Sequence, residues 1–225
     1  MKKVVVVLMM VVMTVSGVNA QHLFFATKEG TKLVYENLND KGKVTGYMNQ
    51  TIKKVEGSGD NLTIQYVAQM LDKNHRPVSD KSMVIPYTVT IRNGVVEVDM
   101  KSYATPGTEA FLHIEGDKLH IPPTLSPGTK LDDVNFTMTV NMGFKIVTDI
   151  TLTEQECVAI EDVTIPAGTF NCYKVTQTST AVVMKKTVIT KSVFWYAPGI
   201  GSVKTEHFND KGKLTSSMAL HSLEE

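Results

Sequence analysis

The chain has 225 residues, with 23 basic residues balanced by 23 acidic ones and only two cysteines. A zero net charge with no basic stripe or acidic tail excludes a nucleic-acid partner and argues against an anionic membrane surface. At 42% hydrophobic the chain is a globular composition, and the abundance of Thr and Val favours strands over helices.

Residues 1–20 read as a secretory signal peptide. Lys2 and Lys3 form a basic start, Val4 to Val15 an apolar core, and Val18-Asn19-Ala20 a small-residue cleavage site. The apolar run is shorter than the roughly 18–20 residues of a transmembrane helix, so no membrane span is expected. Cleavage after Ala20 leaves residues 21–225 as a single all-β domain, with 21 basic and 23 acidic residues and hence a net charge of −2. Its address is then outside the cytoplasm.

The predicted strands follow in order. Thr31–Asn37 and Lys43–Val55 flank the turn Asn39-Asp-Lys-Gly, and Asn61–Leu71 comes after Gly57-Ser-Gly-Asp. Met83–Arg92 and Val95–Lys101 flank Asn93-Gly94, a pair suited to a tight hairpin because both turn positions need φ > 0. Phe111–Glu115 and Lys118–Ile121 are read as a hairpin around Gly116-Asp117. Val134–Asn141 and Lys145–Glu154 lead to a closing unit, Val163 to Leu220, of five short strands. No window holds a sustained 3.6-residue apolar period. The expectation is an all-β, antiparallel, strongly curved sheet or partly closed β-barrel or sandwich of roughly 12–14 short strands.

Glu36-Asn-Leu-Asn-Asp-Lys-Gly-Lys-Val-Thr, ending in Met48, is matched by Glu206-His-Phe-Asn-Asp-Lys-Gly-Lys-Leu-Thr, ending in Met218. Either the two copies are halves of a duplicated binding module, or one good hairpin turn has arisen twice. Methionine recurs through the domain, at 48, 70, 83, 100, 138, 142, 184 and 218. Such thioethers can line an adaptable apolar cavity or fill gaps in a core. The alternation on Val134–Asn141 puts Phe136 and Met138 on an apolar face. Trp195 and Tyr196 fall on opposite faces of one strand, so one anchors the core and the other turns to solvent or ligand. These four are the candidate ligand-binding residues.

No nucleophile elbow, P-loop, zincin or dinucleotide fingerprint occurs, so neither catalytic residues nor a cofactor are expected. In a hairpin at Gly116-Asp117, His113 would face His120 beside Glu115, which together could ligate zinc. Cys157 and Cys172 form an even pair in an exported chain, which points to a disulfide. A turn near Ala167–Gly168 would instead set Val163 opposite Cys172, so pairing needs a bend or a third strand near Glu161–Asp162. Lys185 and Lys186, between apolar runs, mark a loop or protected edge, or a basic clamp.

Three motifs carry a resemblance. Val163-Thr-Ile-Pro-Ala-Gly-Thr-Phe, Phe194-Trp-Tyr-Ala-Pro-Gly-Ile-Gly-Ser-Val-Lys and Ile121-Pro-Pro-Thr-Leu-Ser-Pro-Gly-Thr-Lys-Leu-Asp-Asp resemble turns of a bacterial family of exported β-rich proteins, domain of unknown function 3108. The resemblance implies a bacterial, periplasmic, barrel-like envelope protein and no catalytic residues. Two roles are compatible with these readings. One is a non-enzymatic module that binds an apolar or amphipathic ligand such as a lipid or acyl chain. The other is an accessory component of an outer-envelope, glycan-handling assembly with a protein partner.

Overall fold

A computed structural model describes residues 24–78, 84–103, 111–141 and 143–225. The expected signal peptide of residues 1–20, Met83 and Met142 lie outside them. Strand-forming sequence broken by Gly-containing reversals gives thirteen antiparallel strands among the described residues. They are β1 (Lys32–Asn39), β2 (Val44–Ser58), β3 (Asn61–Asp72), β4 (Val84–Arg92), β5 (Val95–Asp99), β6 (Leu112–Gly116) and β7 (Lys118–Ile121). After these come β8 (Val134–Asn141), β9 (Lys145–Ile165), β10 (Gly168–Val183), β11 (Lys186–Ala197), β12 (Gly201–Asn209) and β13 (Leu214–Glu224). A short 3₁₀ turn, Met100–Tyr103, follows β5.

All thirteen strands join one sheet in the order β6-β8-β9-β10-β11-β12-β13-β1-β2-β3-β4-β5-β7, which curls into a nearly closed barrel. The two outermost strands are consecutive in sequence, separated by Asp117 alone. The expected β6–β7 hairpin is therefore overturned. β6 pairs with β8 and β7 pairs with β5, so the chain walks without reversal from one edge of the sheet to the other. Asp117 fixes the crossing: its N–H donates to the Asn135 carbonyl at 2.8 Å, and its carboxylate accepts from the Asn135 N–H at 3.0 Å. Gly116 is required there, because a Cβ would collide with the Asn135 carbonyl and Phe136.

Strand count and most boundaries agree with the sequence reading, but the strands of the closing region are not short. β9 runs straight through Glu161–Asp162 for 21 residues, and β10 for 16. Their hairpin turns at Pro166-Ala167, pairing Gly168 with Ile165 and Cys172 with Glu161.

Both copies of the sequence repeat are β-hairpins of one design. Asn39 Oδ1 accepts from the Lys41 and Lys43 N–H groups, and Asn209 Oδ1 does so from Lys211 and Lys213. Each has a bulge at the same place, Asn37/Leu38 and His207/Phe208. The hairpins lie side by side because β1 pairs with β13, which brings Asn39 opposite Ser216.

The main core lies inside the barrel, where Ile52, Ile64, Tyr66, Val89, Ile91 and Val96 meet Tyr173, Val175 and Cys157. The segment before β1 completes it. Phe24 is fully buried, with its ring edge-on to Tyr173 and Tyr196, and Ala26 N–H donates to the Ile200 carbonyl. Burying a phenyl ring contributes about 2–3 kcal/mol. A second cluster forms where the β9–β10 tip folds against β11–β13. There Val163, Ile165, Phe170 and Cys172 pack with Trp195, Val203 and Leu220, and the Ala167 N–H donates to the Leu220 carbonyl.

Candidate functional site

Alternation along the strands leaves a cavity of about 230 Å³ inside the barrel. Leu33 and Tyr35 of β1, Met48 and Gln50 of β2 and Tyr66 of β3 form one wall. Phe194 and Tyr196 of β11, Ser202 and Thr205 of β12 and Met218 of β13 form the next. Val98 and Met100 after β5, with Leu119 and Ile121 of β7, close the third side, and Phe25 of the N-terminal segment completes the lining.

Among the described residues no charged side chain lines this space, and several of its polar groups are hydrogen-bonded. Gln50 Nε2 donates to the Tyr87 hydroxyl, the Tyr66 hydroxyl donates to the Ala26 carbonyl at 3.1 Å, and the Ser202 and Thr205 hydroxyls are 3.1 Å apart. Burial pushes both the Tyr35 and Tyr66 phenols well above their ordinary range, so both stay neutral at any physiological pH. The result is an uncharged pocket whose compliance comes from three thioethers, Met48, Met100 and Met218. An apolar cavity of about 150 Å³ can hold benzene, while drug-sized pockets begin near 300 Å³. This one suits a single hydrocarbon segment.

Of the four residues singled out for ligand contact, Tyr196 lines the cavity. Trp195 does not: it faces the opposite side of β11, buried in the second cluster. Its Nε1–H donates to Glu161 Oε1 at 2.7 Å, and the Lys174 and Lys204 ammonium groups lie 5.3 and 4.6 Å from its ring centre. That indole hydrogen bond, and next Lys174, hold the Glu161 carboxyl below its usual range. Trp195 thus ties the β9–β10 tip to β11. Phe136 and Met138 sit on β8, opposite Ile150 and Thr148, away from the cavity.

The zinc arrangement is overturned with the hairpin it needed. His113 stands opposite Thr139 and His120 opposite Glu97, about seven residues or 23 Å apart along one extended run. Glu115 contacts only His113, at 3.4 Å. The disulfide is also absent, as both cysteines are free buried thiols. Cys172 pairs with Glu161 and Cys157 with Val175, a stagger of about four residues or 13 Å, beyond the roughly 7 Å that a disulfide spans. Burial and then the nearby Asp162 and Glu161 push the Cys172 thiol up to about 11.

The sequence reading missed the N-terminal segment, although Phe24-Phe25, four residues past the expected cleavage site, was a visible aromatic pair. It also missed what the repeat does for the cavity. Aligning the two copies superposes Met48 on Met218 and Tyr35 on Thr205, and all four line it.

A family model described as DUF3108-like matches residues 28–220. No curated protein matches the chain in sequence. Among solved structures, a candidate exported protein with a YmcC-like fold from Bacteroides fragilis superposes with a TM-score of 0.73 at 22% identity, over 91% of this chain and 100% of that one. A candidate lipoprotein from Parabacteroides distasonis gives 0.74 at 22% identity, over 90% and 99%. At such identities the likeness establishes a shared fold.

Proposed function

This chain belongs to the DUF3108-like family, and from that premise we propose that it is an exported, non-enzymatic envelope barrel holding an apolar segment of a lipid or acyl chain. The observation that carries the reading is the uncharged, methionine-lined cavity built around the duplicated hairpins. A general acid, base or activated nucleophile needs a titratable group near the reacting atoms, and among the described residues the lining offers tyrosines and the Ser202 and Thr205 hydroxyls with no His, Asp, Glu, Lys or Cys beside them. The leader with Lys2, Lys3 and Val18-Asn19-Ala20 supports export. So do the names of the two structural relatives, which describe an exported protein and a lipoprotein.

The test is native mass spectrometry of mature protein purified gently from its own host, followed by organic extraction. A one-to-one adduct of lipid mass, lost in Met48→Trp or Met218→Phe, is the expected result. A bare mass under conditions that keep known lipid complexes intact overturns it, and leaves an accessory role with a protein partner.

A further inference from the structure

The hairpins β8–β9 and β10–β11 extend beyond their neighbours. β12 begins to pair with β11 only at Thr190, so residues 186–189 have no partner on that side. The β10–β11 turn therefore projects about 20 Å past the end of β12. The β8–β9 turn lies beside it, since Thr148 pairs with Val183.

This projecting end carries half of the exposed large apolar side chains among the described residues. Met184 is 74% exposed, Phe144 63% and Val188 52%, three of the four most exposed large apolar side chains among the described residues. Around them stand Lys145, Lys185 and Lys186, all exposed and none in an ion pair among the described residues. Residues 139–148 and 183–190, which build both tips, contain no acidic residue, and the first acid below them on these strands is Asp149, opposite Val182. The zero charge of the whole chain conceals this local excess, because the lysines come from separate segments.

The turn itself is chemically out of place. Met184 and Lys185 occupy its two positions with φ of 48° and 65°, a geometry that favours Asn-Gly. A residue pair that contradicts its own backbone marks a site serving something other than folding.

We propose that this end docks on an anionic lipid bilayer, with Phe144 and Met184 entering the acyl boundary and Lys145, Lys185 and Lys186 meeting the headgroups. Apolar tips ringed by cations fit that interface. Two narrow, convex turns do not supply the roughly 800 Å² per partner of a stable protein interface. The inference holds whether or not the interior cavity carries a ligand.

Mature protein is floated with vesicles of phosphatidylcholine and phosphatidylglycerol in equal parts, and with phosphatidylcholine alone. The expected result is binding to the mixed vesicles that weakens with added salt. Partition should fall about tenfold or more in K185Q/K186Q and again in F144S/M184S. A Phe144→Trp variant, with circular dichroism unchanged, should shift its emission to the blue on mixed vesicles only, above the constant signal of the buried Trp195. Equal partition to both vesicle types, or F144S/M184S binding like the unmodified protein, overturns the proposal. So does failure to bind either type, and self-association that F144S/M184S abolishes would then assign the tip to a second copy.

Discussion

The same end of the barrel carries two kinds of reversal. The Asn-Asp-Lys-Gly twins are short, polar and self-sufficient: one asparagine oxygen takes two backbone N–H groups, and Gly42 or Gly212 takes the left-handed position at φ of 71° or 76°. They also reinforce each other, with Lys213 Nζ 3.6 Å from Asp40. The β8–β9 and β10–β11 tips stand farther out, and the latter places Met-Lys where Asn-Gly would relax the backbone. The difference separates turns that hold the fold from turns that hold surface available.

The sharpest way to break this contrast is to remove both asparagines. Asn39→Ala with Asn209→Ala forfeits four side-chain to backbone hydrogen bonds and should cost about 2 kcal/mol. A thermal melt should then drop by roughly 4–8 °C. The opposite sign is expected at the projecting turn. Met184→Asn with Lys185→Gly should raise stability by about 1 kcal/mol in urea titration, while reducing vesicle binding. A stability loss there would mean that the Met-Lys turn serves the fold after all.

A smaller effect distinguishes the twins from each other. Where the first has Asn37, the second has His207, whose Nδ1 lies 2.9 Å from the Ser192 hydroxyl and whose ring packs edge-on to Phe194. Burial holds His207 below the ordinary imidazole value. The unfolded chain therefore binds a proton near pH 6.5 while the folded one resists it. Stability from this group is complete above about pH 6.5 and declines as pH falls from there towards the lower folded value. Melts between pH 7.5 and 5 should show the decline, and His207→Asn, which copies the other twin, should flatten it. The smallest effect belongs to Phe144→Ser, expected within about 0.5 kcal/mol of unchanged stability because the ring has so little to lose.

Much of the fold was legible because period-two alternation and turn chemistry are local signals. Asn93-Gly94 and both Asn-Asp-Lys-Gly turns form where the sequence places them. Gly116-Asp117 failed for the same reason. Its residues suit a two-residue reversal, yet whether a chain reverses or crosses depends on which strands receive it, and β8 and β5 are determined by tertiary closure. The site was less legible. Trp195 and Tyr196 were correctly placed on opposite faces, but alternation does not say which face encloses space. A twelve-methionine chain does not announce which three will converge. Equating the repeat copies would have found Met48 and Met218 together.

The Asp117 crossing makes the barrel a hoop fastened by its own thread. Its two ends are joined by a continuous peptide where a neighbouring ladder would otherwise form, so the girth is adjusted at one clasp. Leu119 and Ile121, just past the clasp, are also wall residues of the cavity. A shift at that fastening would therefore move one wall of the cavity with it, which couples the capacity of the pocket to the closure of the hoop.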